Sequence, residues 1–362
     1  MSCQVFSPKG EMAAISNVAA AFKYAADNGA VILQCSWGYI SGAANPMEWT
    51  PQYSTDEEWE TYNVLERKAL DYFIHNAGSP DGVIEGGIAI FAGGNEAAPA
   101  ASYPAAYPDF VAVAATAGDF TPAVYTNYGP GTSVSAPGGD QDYYYDYVDD
   151  THNYGEVGCV LSTLPYHVSK SGYGYMEGTS MATPHVAGVA ALGISYATQL
   201  RKHFKAEELQ ELLHTTAASI DKYCTGRKTY CRYVADIGPL QPMQINLPDY
   251  RGQMGSGQVN AAAFLAAIAG DDAGVAMRFP NVYVAVQGAV AFVPARYFKD
   301  GEKLTYTVKI EDESVATCTN EDGRVLFKGV KAGATSATIT ASNGESHKFN
   351  ITVRRSTGNG WL

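Results

Sequence analysis

The sequence predicts an α/β domain built on a parallel sheet over residues 1–270, followed by a small all-β domain over residues 275–355. Three observations carry that prediction. Continuous apolar runs, Val31 to Leu33 and Ile88 to Phe91, are separated by helical patterns, as expected of strands buried on both faces of a parallel sheet. A nearly all-apolar stretch, with Val186, Ala187, Val189, Ala190, Ala191 and Leu192, follows a cluster of small residues around Ser180 and reads as a core helix. After Gly270 the texture changes to short β-rich runs separated by glycine-marked turns.

In chain order, the Ala-rich stretch Ser16 to Asn28 reads as a helix feeding a strand at Val31 to Cys35. Asp56 to Asn76 reads as one helix inside an insertion from Pro46 to Gly82, with Ser54 as its cap. The run Ile88 to Ala92 ends at Gly93-Gly94-Asn95. In the second domain the strands are Val282 to Val286, Leu304 to Val308, Val325 to Phe327, Ala337 to Ala341 and Phe349 to Val353, with turns at Gly301, Gly323, Gly333 and Gly344. A length of 362 residues at 46% hydrophobic content suits one large core and one small one.

The formal net charge of −13 argues against nucleic acid as a partner, which would require a basic face. No run of about 18 apolar residues suggests a transmembrane segment. Nor does residue 1 open a secretion signal. Cys224 and Cys231 bracket a polar segment and could close a local disulfide, whereas Cys3 and Cys35 read as small buried hydrophobes.

The chemistry concentrates at Gly178-Thr179-Ser180-Met181-Ala182-Thr183-Pro184-His185-Val186-Ala187-Gly188. A serine hydroxyl needs open space and a neighbouring base to act as a nucleophile, and Gly178 and Ala182 keep the space open. With a helix running from Met181 and Pro184 in its first turn, Ser180 sits at the positive end, where N–H groups and the dipole favour a developing oxyanion. A bare Gly-x-Ser would read instead as an ordinary N-cap.

The length of the stretch resembles the nucleophile motif of subtilisin-like serine proteases, and further matches follow in that family's order. Val31 to Gly38 resembles the strand whose end, Ser36-Trp37-Gly38, forms one wall of the substrate cleft. Ile88 to Glu96 resembles the strand leading to the oxyanion-hole asparagine, here Asn95. Tyr103-Pro104-Ala105, Val111 to Thr116, Asn127-Tyr128-Gly129, Ala136-Pro137-Gly138 and Gly255 to Ala261 resemble the later landmarks, so the likeness covers about residues 1–268. The resemblance implies Ser180 as the nucleophile and Asn95 as the oxyanion donor, whose loss in subtilisin itself costs roughly 100- to 1000-fold. It also implies a cleft made by Ser36, Trp37, Gly38, Ala92, Gly93, Gly94 and Thr179, holding a polypeptide in extended conformation.

The family also carries an aspartate in an Asp-Thr-Gly or Asp-Ser-Gly setting and a histidine in a His-Gly-Thr setting. Neither setting occurs here. His185 lies five residues past Ser180 on the same helix and points away from it, reading as a packed or supporting residue. His75 reads as a helix C-terminus, His152 and His167 as loop, and His203, His214 and His347 as surface helix or strand. Because Met1 to Phe6 resembles the strand after the family's histidine helix, the chain reads as a fragment lacking the first strands. The strands at Ser2 to Phe6 and Val31 to Cys35 would then each face an unfilled slot, so poor stability or self-association through unpaired strands is expected.

The acidic aromatic stretch Asp140 to Asp150 falls between two landmarks. Calcium stabilises many members of the family, so the resemblance leaves calcium open as a cofactor, but no Asp-x-Asp-x-Asp-Gly loop is present, and the stretch reads as a solvated loop with no metal ligand assigned. The second domain resembles an immunoglobulin-like sandwich of bacterial surface proteins, through Val325 to Gly333, which favours an extracellular, periplasmic or cell-surface setting. The sequence therefore reads as a serine endopeptidase that is inactive alone. The alternatives are a non-catalytic peptide- or partner-binding relative at the cell surface, or an α/β-hydrolase. The last needs an apolar strand directly before its serine, which Ser171 to Glu177 does not supply.

Overall fold

The structure is a computed structural model that describes residues 1–6, 14–39, 51–144, 158–231, 233–234, 238–239, 242–270, 282–298, 301–321 and 323–354. Helix α1 (Ile15–Asp27) buries Val18, Ala19, Phe22, Ala25 and Ala26, a stripe at helical spacing. Gly29, at φ +84, turns the chain into β1 (Ile32–Cys35). The helix expected over Asp56 to Asn76 is two, α2 (Asp56–Tyr62) and α3 (Val64–Asn76). They part at Asn63, whose amide turns back to the Trp59 carbonyl at 3.2 Å. The cap is Thr55, not Ser54: the Thr55 hydroxyl accepts from the Glu58 N–H at 3.1 Å, while the Ser54 N–H donates to the Glu58 carboxylate at 2.7 Å.

Strands β1, β2 (Ile88–Ala92), β3 (Val111–Thr116) and β4 (Val134–Pro137) form a parallel sheet in that order. Registers such as Ile32 with Ile88, Phe91 with Ala112 and Val113 with Val134 run the four strands in one direction, with their carboxyl ends at the same edge of the sheet. Every residue of β2 and β3 is buried, because both faces of the sheet are covered. One face packs on α1 and α3, through Phe22, Leu70, Phe73 and Phe91. The other packs on α4 (Thr179–Gln199), α5 (Ala206–Thr215) and α6 (Ala261–Ala269), through Ile90, Val113, Val186, Leu209 and Phe264. A Cβ added to Gly193 would lie 2.3 Å from the Phe264 ring, so glycine is what lets α6 close on α4.

Three expectations need correction here. Residues Met1 to Phe6 form no strand, only a bridge at Phe6, and the one strand paired with β1 among the described residues is β2. Helix α4 is not wholly buried: Ala182, Val186, Ala190 and Ala197 face the core, but Leu192 is 55% exposed on the other side. Pro184 lies inside that helix as its sixth residue, beyond the first turn.

After α6 come two further sheets. Strands β5 (Val282–Ala285), β6 (Ala289–Phe292), β7 (Tyr306–Ile310), β8 (Ala316–Glu321), β9 (Arg324–Gly329), β10 (Gly333–Ala341) and β11 (Ser346–Arg354) pair as β5-β11-β10-β7 and β6-β9-β8. Their inner faces share a core that includes Phe292, Phe327, Ile339, Phe349 and Ile351. Strands β6 and β8 were not anticipated, since Ala, Asn and Glu dilute their β-forming pattern.

Two ionisable groups, the buried Glu66 and the half-buried His214, are expected to give the large domain opposed pH responses. Glu66 on α3 has no solvent exposure; the Tyr39 hydroxyl donates to its Oε2 at 2.9 Å, and Oε1 makes no well-formed hydrogen bond. Burial pushes its carboxyl up to about 7. His214 on α5, expected at a surface, has its Nε2 sealed from solvent without a partner, and burial lowers it to about 4. Glu66 is stabilising while protonated, and that stability is lost as pH rises from its ordinary 4.5 to about 7. Neutral His214 acts in the opposite sense, losing stability as pH falls from 6.5 towards 4.

Denaturant unfolding between pH 4.5 and 7 is therefore expected to show opposed slopes. Glu66→Gln gains on the parent chain as pH rises, by at most about 3 kcal/mol, and His214→Gln gains as pH falls. Parallel curves for the three proteins would contradict the burial of these groups.

Candidate active site

The site is assembled where β1, β2 and β4 end and α4 begins. Gly178, the N-cap of α4, has φ +139, a conformation that favours glycine. Its N–H lies 2.9 Å from the Gly138 carbonyl and 2.8 Å from the Tyr125 hydroxyl. That hydroxyl in turn shares its proton between the carbonyls of Gly138 and Gly139, at 2.9 and 2.7 Å. The loop before α4 is thus pinned to the end of β4, and the N–H groups of the first helical turn face the same space.

Ser180 is the second residue of the helix and is half-buried. Its hydroxyl donates to the Ser36 carbonyl at 3.3 Å, and the Ser36 hydroxyl donates to the Ser180 carbonyl at 2.6 Å. Asn95 follows β2 and is exposed, but its amide is oriented. Oδ1 accepts from both the N–H and the hydroxyl of Thr179, at 2.9 and 2.8 Å, which fixes the amide's O and N ends. Nδ2 therefore sits at the helix start, 3.6 Å from where a Cβ on Gly178 would lie. Beside it opens a cavity of about 330 Å³ lined by Asn95, Tyr125, Gln141, Glu177, Gly178 and Tyr230.

The structure thus brings Ser36, Asn95, Thr179 and Ser180 together. Thr179 is fully buried, and its N–H and hydroxyl both bond Asn95, so it orients the carboxamide. The Trp37 ring turns inward, stacked 6.3 Å from Phe22 and edge-on to Phe91 at 5.7 Å, leaving its backbone beside Ser36. Gly38 and Gly93 meet neighbouring backbone closely: an added Cβ would stand 3.1 Å from the Tyr103 carbonyl and 3.0 Å from that of Val113. Ala92 is buried at the end of β2. At Gly94 a Cβ would lie 2.2 Å from Asn127 Nδ2.

Asn127 is the buried support beneath these glycines. Its Oδ1 accepts from the N–H groups of Glu96 and Ala98, at 2.9 and 3.0 Å, and its Nδ2 donates to the Glu96 carboxylate at 2.7 Å. Burial raises the Glu96 carboxyl above its ordinary range. Asn127 stood in the sequence only as a landmark and Tyr125 not at all, because no local pattern marks what either side chain does. Each acts through groups far along the chain.

Among the described residues no histidine hydrogen-bonds Ser180. His185 is exposed and bonds the Met181 carbonyl of its own helix at 2.8 Å, so it is not packed as expected. His75 bonds the Asp71 carbonyl near the end of α3, His203 the Gly82 carbonyl and His347 the Glu345 carboxylate. His152 lies outside the described residues. None of these imidazoles is bonded to the Ser180 hydroxyl, whose acceptor is the Ser36 carbonyl.

The acidic stretch also differs from expectation at its start. Asp140 is fully buried, not solvated, and its Oδ2 accepts from Lys228 Nζ at 2.6 Å and from the Val124 N–H at 3.1 Å. Lys228 Nζ also donates to Thr121 Oγ1 and the Pro122 carbonyl, at 3.0 and 2.9 Å, and sits 4.1 Å from the Tyr143 ring centroid. Residues 145–150 of that stretch lie outside the described residues. Cys224 and Cys231 are both buried free thiols, and the bridge that the sequence left open between them is not formed.

Ser180 at the start of α4 thus lies beside an asparagine at the end of a parallel strand, and comparison with known proteins gives the family. The subtilase family model, Peptidase_S8, matches residues 2–250, and the chain belongs to that family. It is 32% identical over 196 residues to alkaline elastase YaB of Bacillus sp. (strain YaB), covering 53% of this chain and 38% of that protein. It is 30% identical over 197 residues to subtilisin BL of Lederbergia lenta, covering 53% of this chain and 54% of that protein. The chain thus spans well under two thirds of these relatives. The solved prenylagaramide maturation protease PagA is 20% identical with a TM-score of 0.48, covering 74% of this chain and 72% of that one. No described helix is long and apolar enough to cross a membrane.

Proposed function

We propose that residues 1–270 are the nucleophile-bearing part of a serine endopeptidase. Ser180 attacks the scissile carbonyl of an extended polypeptide, and Asn95 with the first-turn N–H groups of α4 stabilises the oxyanion. The observation that carries this reading is the orientation of Asn95 by Thr179, which turns a donor amide to the end of the helix that bears Ser180. The backbones of Ser36 to Gly38 and Ala92 to Gly94 flank the substrate. The chain is inactive alone, because neither the family's aspartate setting nor its histidine setting occurs in it.

A second reading, a non-catalytic peptide-binding relative, is favoured by that same lack of a base. The two β-sheets after residue 282 serve as an immunoglobulin-like spacer or docking module, and the setting is extracellular, as the names of two relatives, an extracellular basic protease and an extracellular protease, say of those proteins. Peptide hydrolysis by the purified chain and by Ser180→Ala tests the account of activity. Both are expected to be equally slow, and an ordinary protease rate abolished by Ser180→Ala would place a base within the chain.

A further inference from the structure

Helix α4 carries a break in its hydrogen-bond ladder at the residue that matters most. In an α-helix the carbonyl of residue i accepts from the N–H of residue i+4, so the Ser180 carbonyl would look to residue 184. That residue is Pro184, which has no N–H. The place is taken by a side chain 144 positions away in sequence, the Ser36 hydroxyl, which donates to the Ser180 carbonyl at 2.6 Å. The Ser180 hydroxyl answers by donating to the Ser36 carbonyl at 3.3 Å. Gln34 Nε2 donates to Ser36 Oγ at 2.6 Å, so the Ser36 proton is left to point at Ser180.

We propose that Ser36 is a positioning residue for Ser180: its hydroxyl replaces the amide hydrogen that Pro184 lacks, and so registers the first turn of α4 against the end of β1, with Gln34 setting the direction of that hydroxyl. A continuous helix would have committed the Ser180 carbonyl to its own backbone and left the nucleophile's position to the helix alone. With the carbonyl released, the strand that flanks the cleft and the helix that bears the nucleophile hold each other by a reciprocal pair of hydrogen bonds. The role rests on reading Ser180 as the nucleophile, but the coupling between Ser36 and Pro184 can be measured without any hydrolysis.

The test uses the full chain carrying Ser180→Cys, with the rate of iodoacetamide modification at residue 180 followed against pH by peptide mass spectrometry. A thiolate near a helix N-terminus is favoured by its position, so the midpoint reports how that side chain is held. Ser36→Ala is expected to raise the midpoint by about half a unit, slowing modification at pH 7 about threefold. Adding Pro184→Ala is expected to restore the parent midpoint, because an alanine at that position supplies the missing N–H. Ser36→Thr, which keeps a hydroxyl, should match the parent.

Gln34→Leu, at an exposed position, should move the midpoint the same way by less, and gives the test a second entry if Ser36→Ala does not fold. No shift in Ser36→Ala or in Gln34→Leu would overturn the role. So would an equal shift with and without Pro184→Ala. If the pattern holds but the chain joined to a segment carrying the family's Asp-Thr-Gly and His-Gly-Thr settings hydrolyses no peptide, the positioning role stands and the protease reading falls; hydrolysis there without the coupling shows the reverse.

Discussion

The purified chain is expected to hydrolyse a peptide amide on the order of a millionfold more slowly than an intact subtilase, and Ser180→Ala is expected to leave the residual rate unchanged. The magnitude is the one known for subtilisin itself, taken over with the family membership. Its physical basis is that a hydroxyl without a base is a feeble nucleophile, so nucleophile and base act as one unit and removing the second adds little to the loss of the first. In this chain the Ser180 hydroxyl donates to the Ser36 carbonyl, an acceptor that cannot carry the proton away at neutral pH. What survives comes from binding and the oxyanion donors. Asn95→Ala should therefore lower the residual rate where Ser180→Ala does not, and the comparison is read with a chromogenic peptide at enzyme concentrations high enough to see it.

Replacing Lys228 with methionine is expected to cost about 3–5 kcal/mol in denaturant unfolding, because it strands a carboxylate in the interior. Asp140 has no exposure, and its carboxylate accepts from the Lys228 ammonium and from the N–H groups of Val124 and Tyr143. Burial already raises the Asp140 carboxyl, with Lys228 opposing that rise. Removing the ammonium leaves desolvation unopposed, and the Thr121 hydroxyl and Pro122 carbonyl lose their donor as well. Lys228→Met combined with Asp140→Leu should recover most of the loss, since an apolar pair of similar volume avoids the desolvation of both charges. A single-variant loss below about 1 kcal/mol, or a double variant as unstable as the single, would show that the pair is not buried as described.

That ion pair also shows where the sequence falls silent. Asp140 opens a run of acidic and aromatic residues that any local reading assigns to a solvated loop, and Lys228 lies in a polar stretch between two cysteines. They meet because β4 and the strand Arg227–Tyr230 bring segments 88 residues apart together. The central sheet was legible because β2 is apolar at every position, a pattern that only two-sided burial produces. That Ser180 and Asn95 would lie near one another was legible because the surroundings of each are short, contiguous and chemically unusual.

The α2 and α3 break at Asn63 was hidden because its cause, a side chain folding back on the Trp59 carbonyl, competes with helix only locally. Ser36 was placed in a cleft wall by resemblance, but the reason for its hydroxyl was written elsewhere, in the proline four residues after Ser180. That signal was readable: a proline inside a helix always frees one carbonyl, and the question is what takes it.

The central claim is that Ser180 and Asn95 form the nucleophile and oxyanion half of one reaction centre, to which an aspartate and a histidine must be added. The most direct measurement is peptide hydrolysis by this chain fused behind a subtilase segment carrying the Asp-Thr-Gly and His-Gly-Thr settings, compared with the same fusion bearing Ser180→Ala or Asn95→Ala. The account predicts protease activity in the first fusion, its loss with Ser180→Ala, and a fall of roughly 100- to 1000-fold with Asn95→Ala. A fusion that folds and binds peptide but hydrolyses none, or hydrolysis indifferent to Ser180→Ala, would contradict it.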